Sequence, residues 1–348
     1  MSLKNTMQYE TVKRLLLTLG AARAHRLVMK NLDWFTIFNF HTTWRGELAE
    51  CPVSAMGLRF PNPVGLVAGF TVNGERINSL GALGFGFIEA GPFTAARLEG
   101  AFNVREEKGY PTLTFSSDGQ LPNVGIDEGL INLKSDDGFH VCGGILGISL
   151  VKDFREKLSN FEDLRTSLRK SYKRADFFSF DTAGLGDTEI QNGLCALVEE
   201  RKKVSEALSL PSKPIAVKLY SGRKSEALFS LLDNLIAAGV DGLHVTGVVK
   251  DPLTGRSLTG AVLRDTTMQF LATTKDHIKD SVPVITSGGI CSAKDAADCI
   301  EAGAKLVELL TGFVDRGPAL VTEAVRAIAR EGKNSSQAVA LDRKTPLR

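Results

Sequence analysis

The sequence predicts an α/β protein whose main domain is a closed (β/α)₈ TIM barrel, and three observations lead to this fold class. Eight short apolar runs recur from about residue 62 onward, longer amphipathic stretches separate most of them, and glycine follows many of the runs. Apolar strands that alternate with helices indicate a parallel sheet covered on its faces. Eight such units favour a closed barrel over the alternative, a doubly wound open sheet.

The eight apolar runs are the predicted barrel strands. They lie at 63–68, 85–90, 144–150, 177–180, 215–219, 242–245, 282–286 and 306–310. Helical periodicity is clearest at 225–238, 292–302 and 318–329. We expect the barrel domain to span 46–335 and a C-terminal tail to follow at 336–348.

The segment 92–140 interrupts this rhythm because it is long, polar and contains glycine. A long insertion between a strand and its helix usually covers the mouth of a barrel, where the active site lies. The insertion is therefore predicted to lie over the site.

The N-terminal segment 1–45 differs from the rest of the chain. Its apolar residues follow helical spacing over 9–19 and 22–40, and residues 1–33 hold six basic against two acidic side chains. A basic amphipathic pair of helices can lie on an anionic membrane surface. The alternative is a helical hairpin packed against the barrel.

Composition narrows the class of protein further. Hydrophobic residues make up 43% and charged residues 24% of the chain, which excludes a disordered protein. A net charge of +2 is too balanced for nucleic-acid binding through bulk charge. The odd number of cysteines, five, contains no metal-binding pair, so reduced thiols are expected. No apolar run reaches the length of a transmembrane helix, and the N-terminus lacks the layout of a signal peptide. We therefore expect a cytoplasmic protein, or one peripheral to the inner face of a membrane.

Two glycine-containing turns are the strongest local signal for a ligand. Gly288 and Gly289 follow the seventh predicted strand, and Thr311 and Gly312 follow the eighth. Glycine after these strands lets backbone N–H groups approach an anion. The pattern predicts a phosphate site, which a flavin enzyme and a flavin-free enzyme of sugar phosphates would share.

Lys218 ends the fifth predicted strand and would place a cation in the barrel mouth. A buried lysine needs an anionic partner, and the edge of a flavin that gains negative charge on reduction would provide one. The alternative is a lysine that extends to solvent from the rim. His244 is ambiguous, because strand alternation allows it to point inward or toward a helix.

Several motifs together resemble the dihydroorotate dehydrogenases, and more closely their membrane-associated, quinone-using class 2. The resemblance spans nearly the whole chain. The similar segments are 19–25 in the N-terminal helix, 62–69, 73–75 and 80–87 in the first two βα units, and 287–290, 310–312 and 317–318 at the phosphate site.

This resemblance implies an FMN-dependent oxidoreductase of CH–CH groups in pyrimidine biosynthesis. Its partners would be a small-molecule substrate, a quinone, and a membrane surface contacted through 1–45; no metal and no nucleic acid are implied. The positions that would bind FMN are Ala68, Gly69, Lys218, Thr246, Gly260, Gly288, Gly289, Thr311 and Gly312.

The departures from the family pattern cluster at substrate-binding positions. Substrate-binding or catalytic side chains of the family are replaced by Val72, Pro122, Asp127, Ser149, Asp181, Gly184 and Gly247, with Gly184 at the position of the catalytic serine. Asp181 and Asp127 are the predicted replacement acid–base groups, and Tyr220 is a weaker candidate. Two hypotheses follow, an FMN oxidoreductase with another, neutral or cationic substrate, and an FMN-binding paralogue without turnover.

Overall fold

A computed structural model describes residues 9, 11–16, 18–38, 42, 47–99, 103–107, 110–114, 121–134, 138–155, 161–250 and 257–342. Its strands are β1 (Val53–Ala55), β2 (Leu58–Phe60), β3 (Val64–Leu66), β4 (Phe87–Phe93), β5 (Asn103–Glu107), β6 (Tyr110–Thr114), β7 (Ile145–Val151), β8 (Phe177–Asp181), β9 (Ile215–Tyr220), β10 (Gly242–Thr246), β11 (Val284–Ser287) and β12 (Leu306–Leu309). β3, β4 and β7–β12 close into one barrel in this order, every neighbouring pair is parallel, and β12 pairs back with β3. The predicted TIM barrel is confirmed, and each of the eight predicted strands overlaps one of its eight strands.

The helices follow the strands as the sequence predicts. They are α1 (Ala21–Ile37), α2 (Ile77–Gly81), α3 (Gly125–Lys134), α4 (Gly138–Val141), α5 (Glu162–Ser171), α6 (Asp187–Leu208), α7 (Ser225–Ala237), α8 (Arg264–Ile278), α9 (Ala293–Glu301), α10 (Thr311–Arg316) and α11 (Ala319–Asp342). Helix α11 runs beyond the boundary predicted at residue 335, and residues 343–348 lie outside the described part of the chain.

The lower end of the barrel is closed by an aromatic floor. The antiparallel β1–β2 hairpin places Phe60 under the barrel, where its ring meets those of Phe87 at 5.3 Å and Phe177 at 6.4 Å between centroids, edge to face. All three side chains are fully buried together with Ile285 and Leu306. Edge-to-face aromatic pairs are favourable beyond the area that they bury. This floor separates the barrel interior from solvent below.

The insertion after β4 contains the β5–β6 hairpin, α3 and α4. It is tied to the upper end of the barrel, because Asn123 Oδ1 accepts hydrogen bonds from the backbone N–H groups of Thr94 and Gly125. Leu121 lies 3.4 Å from the position that a Cβ would take on Gly69, just after β3. The insertion therefore contacts the upper ends of the strands, in agreement with the prediction.

Helix α1 packs against the barrel through one face and leaves another face uncovered. Ala24, Met29 and Leu32 are buried, and Asp33 forms an ion pair with Arg76 before α2. The large apolar side chains that remain exposed on and just after α1 are Leu27, Val28, Trp34, Ile37 and Phe38. The predicted helix at 22–40 is confirmed to Ile37, and residues 39–40 lie outside the described chain.

Two whole-chain predictions can be compared with the structure. All five cysteines are free thiols, as expected. Among the described residues, no helix combines the length and the apolar character needed to cross a membrane.

Candidate active site

The predicted phosphate site is a group of glycines packed closely against neighbouring backbone. Gly289 has φ +80, and a Cβ on it would lie 2.4 Å from the backbone N of Arg264. A Cβ on Gly312 would lie 2.2 Å from the carbonyl oxygen of Ile290, and one on Gly260 would lie 3.2 Å from Thr311. The structure thus brings the turns after β11 and β12 together with the segment before α8. Only glycine permits this close approach at Gly289.

The next part of the site follows from the positions of Ala68, Gly69 and Thr246. Ala68 is buried after β3, and the backbone N–H of Gly69 donates to the carbonyl of Gly91, in the second half of β4, at 2.7 Å. Thr246 ends β10, and its hydroxyl oxygen lies 2.8 Å from the Cβ position of Gly288. These predicted flavin contacts all lie at the carboxyl ends of the barrel strands, where TIM-barrel active sites are found.

Lys218 is buried rather than extended to solvent, with 7% of the residue exposed. Its Nζ lies 4.0 Å from Oδ2 of Asp181 on the neighbouring strand and 5.9 Å from the ring centroid of Tyr220. The alternative of a lysine at the rim is therefore wrong. The amine is held inside the barrel mouth.

Asp181 and Tyr220 form the polar centre of the mouth. The Tyr220 hydroxyl donates to Oδ1 of Asp181 at 2.8 Å and also lies 3.0 Å from Oδ2, and the backbone N–H of Ala183 donates to Oδ1 at 3.0 Å. Burial, followed by the charge of Asp181, raises the pKa of Tyr220 well above its ordinary value. The phenol consequently remains a protonated donor.

The structure does not place Asp127 with Asp181, and we correct that part of the prediction. Asp127 lies in the first turn of α3 with 69% of its side chain exposed, and it accepts a hydrogen bond at 2.8 Å from Lys170 on α5. The side chain points outward because the opposite face of α3, with Ile126 and Leu133, is buried against the barrel. Asp127 is a surface residue of an ion pair.

Neighbouring atoms close two of the positions where the sequence predicts a replaced family side chain. Gly184 has φ +80, and a Cβ there would meet the ring of Phe154 at 3.0 Å. A Cβ on Gly247 would lie 2.6 Å from Oγ1 of Thr267 on α8. The other replaced positions differ in exposure: Ser149 is fully buried, whereas Val72 and Pro122 are partly exposed.

The structure also brings together three ionisable side chains that the sequence analysis did not combine. Glu89 of β4, His244 of β10 and Glu308 of β12 have ligand atoms within 4.8 Å of one another. His244 Nδ1 lies 3.9 Å from Glu89 Oε1, and its Nε2 lies 3.4 Å from Glu308 Oε2. β4 and β10 are not neighbours in the barrel, so contacts from both strands place this cluster inside it. The signal that could have found it is a single acid within an otherwise apolar strand, as in β4 and β12.

Burial controls the protonation of this cluster. Burial raises the pKa of Glu89 to about 7, and burial and the charge of Glu89 raise the pKa of Glu308 well above its usual value. Burial, and then the charge of Lys218, lowers the pKa of His244 well below its ordinary range. The imidazole is therefore neutral, and one of its nitrogens carries a lone pair that can accept a hydrogen bond or bind a metal ion.

Comparison with known proteins decides the family. The family model described as dihydroorotate dehydrogenase matches residues 51–331. The chain belongs to the dihydroorotate dehydrogenase family. Two curated relatives named dihydroorotate dehydrogenase (quinone) are similar over almost their whole length. The one from Marinobacter nauticus is 31% identical and covers 93% of this chain and 99% of its own. The one from Xanthomonas axonopodis pv. citri is 34% identical and covers 92% of this chain and 96% of its own.

A solved structure supports the fold of this dihydroorotate dehydrogenase-like chain. The structure of DHODH in complex with ferulenol from Eimeria tenella superposes with a TM-score of 0.78 at 21% identity, over 93% of this chain and 96% of that one. This structure shows the fold alone, and the two curated relatives confirm the resemblance to class 2, quinone-type members of the family.

Proposed function

We propose that this protein is an FMN-dependent oxidoreductase of the quinone-type dihydroorotate dehydrogenase family that acts on a substrate other than dihydroorotate. The observation that carries the proposal is the buried group of Asp181, Tyr220 and Lys218 at the strand ends. It combines a retained cation with a carboxylate at a position where the family pattern is replaced, and with a phenol that binds this carboxylate.

The residues present fit FMN. The backbone at Gly289 and Gly312 leaves no room for a side chain, as expected where main-chain N–H groups surround a phosphate. Lys218 is buried at the other end of the site and would hold the edge of the ring system that becomes negative on reduction. When bound, FMN supplies the two-electron redox chemistry.

Asp181 is the proposed proton acceptor, and Tyr220 orients it. A carboxylate fixed by the Tyr220 hydroxyl and by the N–H of Ala183 has limited freedom, so its lone pairs keep one direction. Nζ of Lys218 lies 4.0 Å from Oδ2 of Asp181 and places a cation beside this carboxyl group. Gly184 takes no part, because it has no side chain.

The charge of the site favours a neutral or cationic substrate. The cation at the Val72 position of the family is missing here, and Asp181 adds a negative charge beside the site. One carboxylate within a few ångströms of a bound carboxylate repels it by roughly 1–4 kcal/mol at an effective dielectric between 20 and 80. Dihydroorotate carries such a carboxylate, and we therefore expect it to bind weakly.

Helix α1 supports a quinone as the electron acceptor and a membrane as its source. The His25 ring meets Phe70 edge to face at 5.2 Å, and Phe70 meets Phe313 at 5.5 Å, so aromatic side chains line the space under α1. The exposed apolar face of α1 and the basic residues of 1–33 suit an anionic lipid surface. We propose that residues 1–45 form this membrane- and quinone-facing part, with the FMN-binding barrel at 46–335.

The test begins with the visible spectrum of the purified full-length protein, which should show bound flavin. An anaerobic screen of small neutral, cationic and anionic CH–CH substrates, followed by flavin bleaching, then identifies the substrate class. Re-oxidation by a short-chain quinone completes the assignment. A colourless protein that takes up no added FMN would refute the proposal, and rapid bleaching by dihydroorotate would refute the altered specificity.

The second candidate function is an FMN-binding paralogue without turnover, and the Phe154 ring beside Gly184 favours it. The ring lies against the position from which the family's serine acts, so this approach to the site is filled. The same screen separates the two functions, because the paralogue retains FMN but is bleached by none of the substrates.

A further inference from the structure

A second polar cluster, formed by Glu89, His244 and Glu308, lies inside the barrel beneath the mouth. All three side chains are at most 1% exposed. The four carboxylate oxygens of the two glutamates and Nδ1 of His244 have no hydrogen-bond partner among the described residues. The two glutamates can share a hydrogen bond with each other only when one of them carries a proton. Leaving a buried polar atom unpaired costs about 1–3 kcal/mol, so with both glutamates ionised the cluster calls for an occupant.

We propose that Glu89, His244 and Glu308 form a binding site for a divalent transition-metal ion inside the barrel. Two carboxylates and one imidazole are a ligand set that suits Zn²⁺, Mn²⁺ or Fe²⁺. Two donors on one tetrahedral ion, at about 2.1 Å each, lie roughly 3.4 Å apart. Nδ1 of His244 lies 3.9 Å from Oε1 of Glu89, whereas Oε2 of Glu308 lies 3.4 Å from Nε2, so the Glu308 side chain would turn toward Nδ1 to complete the set.

The orientation of His244 supports a ligand role. Its Nε2 lies 2.7 Å from the Ser287 hydroxyl, which leaves Nδ1 as the free nitrogen on the side of Glu89. Histidine ligands of metals usually make such a hydrogen bond through their other ring nitrogen, because it fixes the tautomer and the ring plane. The neutral state of His244 is also the one that binds a metal.

The charge inside the barrel supports a divalent ion. Glu89, Glu308 and Asp181 are buried carboxyl groups, and Lys218 is the buried cation that faces them. Glu89 and Glu308 would be ionised as metal ligands, and together with Asp181 and Lys218 they would then leave two negative charges uncompensated. Isolated buried charges are strongly unfavourable, and one divalent cation would neutralise the set.

The experiment measures metal content in the full-length protein, expressed without a polyhistidine tag in medium supplemented with zinc, manganese and iron. Elemental analysis of the purified wild type should give about one divalent ion per chain. The double variant His244→Gln, Glu308→Gln removes ligands at nearly constant volume and should lower the content at least tenfold. The matched control is His277→Gln, since His277 forms a surface pair with Asp233 and should leave the content unchanged.

Two further measurements keep the test decisive if the double variant folds poorly. Wild-type protein expressed with Co²⁺ should show visible bands of coordinated cobalt that Zn²⁺ abolishes. A chelator present during thermal unfolding should lower the Tm of wild type and of His277→Gln. Wild type that carries less than about a tenth of an ion per chain and shows no cobalt bands would overturn the proposal, and a proton shared by the two glutamates would then account for the cluster. Metal content is read independently of flavin binding, so this outcome leaves the proposed function untouched.

Discussion

Tyr220 and Asp181 come from neighbouring strands, and the phenol of Tyr220 lies 2.8 and 3.0 Å from the two carboxylate oxygens of Asp181. The pair occupies the carboxyl ends of β8 and β9, beside Lys218. A carboxylate held by one phenol is therefore the central polar feature of this site.

Replacing Asp181 tests its charge. Asp181→Asn keeps the size of the side chain and removes one negative charge, so orotate should bind about tenfold more tightly or better. Asp127→Asn is the matched control, because Asp127 is paired with Lys170 at the surface and should not change orotate affinity. Titrations that follow the flavin spectrum give both dissociation constants, and equal effects of the two variants would contradict the assignment.

The glycine cradle, formed by Gly260, Gly289 and Gly312 at the predicted phosphate site, can be tested with two alanine variants at glycines of nearly equal φ. Gly289→Ala places a Cβ 2.4 Å from the N of Arg264 at φ +80, whereas Gly143→Ala at φ +81 meets no atom within 4 Å. Both variants carry the strain of a positive φ, so any difference between their FMN affinities comes from the displaced backbone around Gly289. FMN affinity should fall at least tenfold for Gly289→Ala alone, measured by quenching of flavin fluorescence. Gly289→Asp should abolish binding, since it adds a carboxylate beside the phosphate.

Restoring a serine at position 184 should not restore dihydroorotate oxidation. Gly184→Ser combines φ +80 with a contact of 3.0 Å to the Phe154 ring, and we expect it to lower the free energy of unfolding by about 1–3 kcal/mol. Adding Phe154→Ala should recover part of that loss in urea unfolding. Neither variant should be reduced by dihydroorotate in stopped-flow experiments, because Val72 and Gly247 still lack the side chains that the family uses.

Membrane binding should depend on the exposed apolar face of α1. Trp34→Ser with Phe38→Ser removes a stacked aromatic pair, 5.8 Å between centroids, without touching the buried face. Sedimentation with anionic liposomes should fall several-fold, and binding of the wild type should weaken as salt rises. Ile131→Ser with Val141→Ser, two exposed side chains on α3 and α4, should sediment like the wild type. Equal loss in both double variants would indicate non-specific adsorption.

The reactivity of the Cys291 thiol tests the predicted phosphate site, because Cys291 lies beside Gly312. Burial, and then the charge of Asp295, raises the pKa of Cys291 to about 11, while Cys142 and Cys195 are exposed. At pH 8 only about a thousandth of Cys291 would be thiolate, the reactive form. Iodoacetamide should therefore label Cys142 and Cys195 long before Cys291, as read by peptide mass spectrometry. Added FMN should slow the labelling of Cys291 further, because this residue packs against Gly312 at the predicted phosphate site.

The barrel could be predicted because its information is local. Each apolar run of four to seven residues reports a buried strand by itself, and glycine reports the turn that follows. The phosphate site at Gly289 and Gly312 could be predicted for the same reason, because the glycines that form it can be identified directly in the sequence. These elements were predicted without knowledge of any contact between distant residues.

The details of the site could not be predicted because they depend on distant contacts. Asp127 lies at a position where the family binds substrate, but the orientation of α3 about its own axis directs the side chain toward Lys170. The approach of Glu89 to His244 joins strands on different sides of the barrel, 155 positions apart in the numbering. Phe154 closes the space at Gly184 from another loop, and no spacing in the sequence reports that contact.

The aromatic floor of Phe60, Phe87 and Phe177 closes the lower end of the described barrel, so the mouth at the upper end is the way in. Anything bound at His244 must enter through the mouth, past Lys218 and Asp181, where the flavin would lie. The two proposed occupants would then be loaded in a fixed order, the deeper one first. A flavin bound at the mouth would block the exit, so exchange of the inner ion would be limited by the rate at which the flavin leaves.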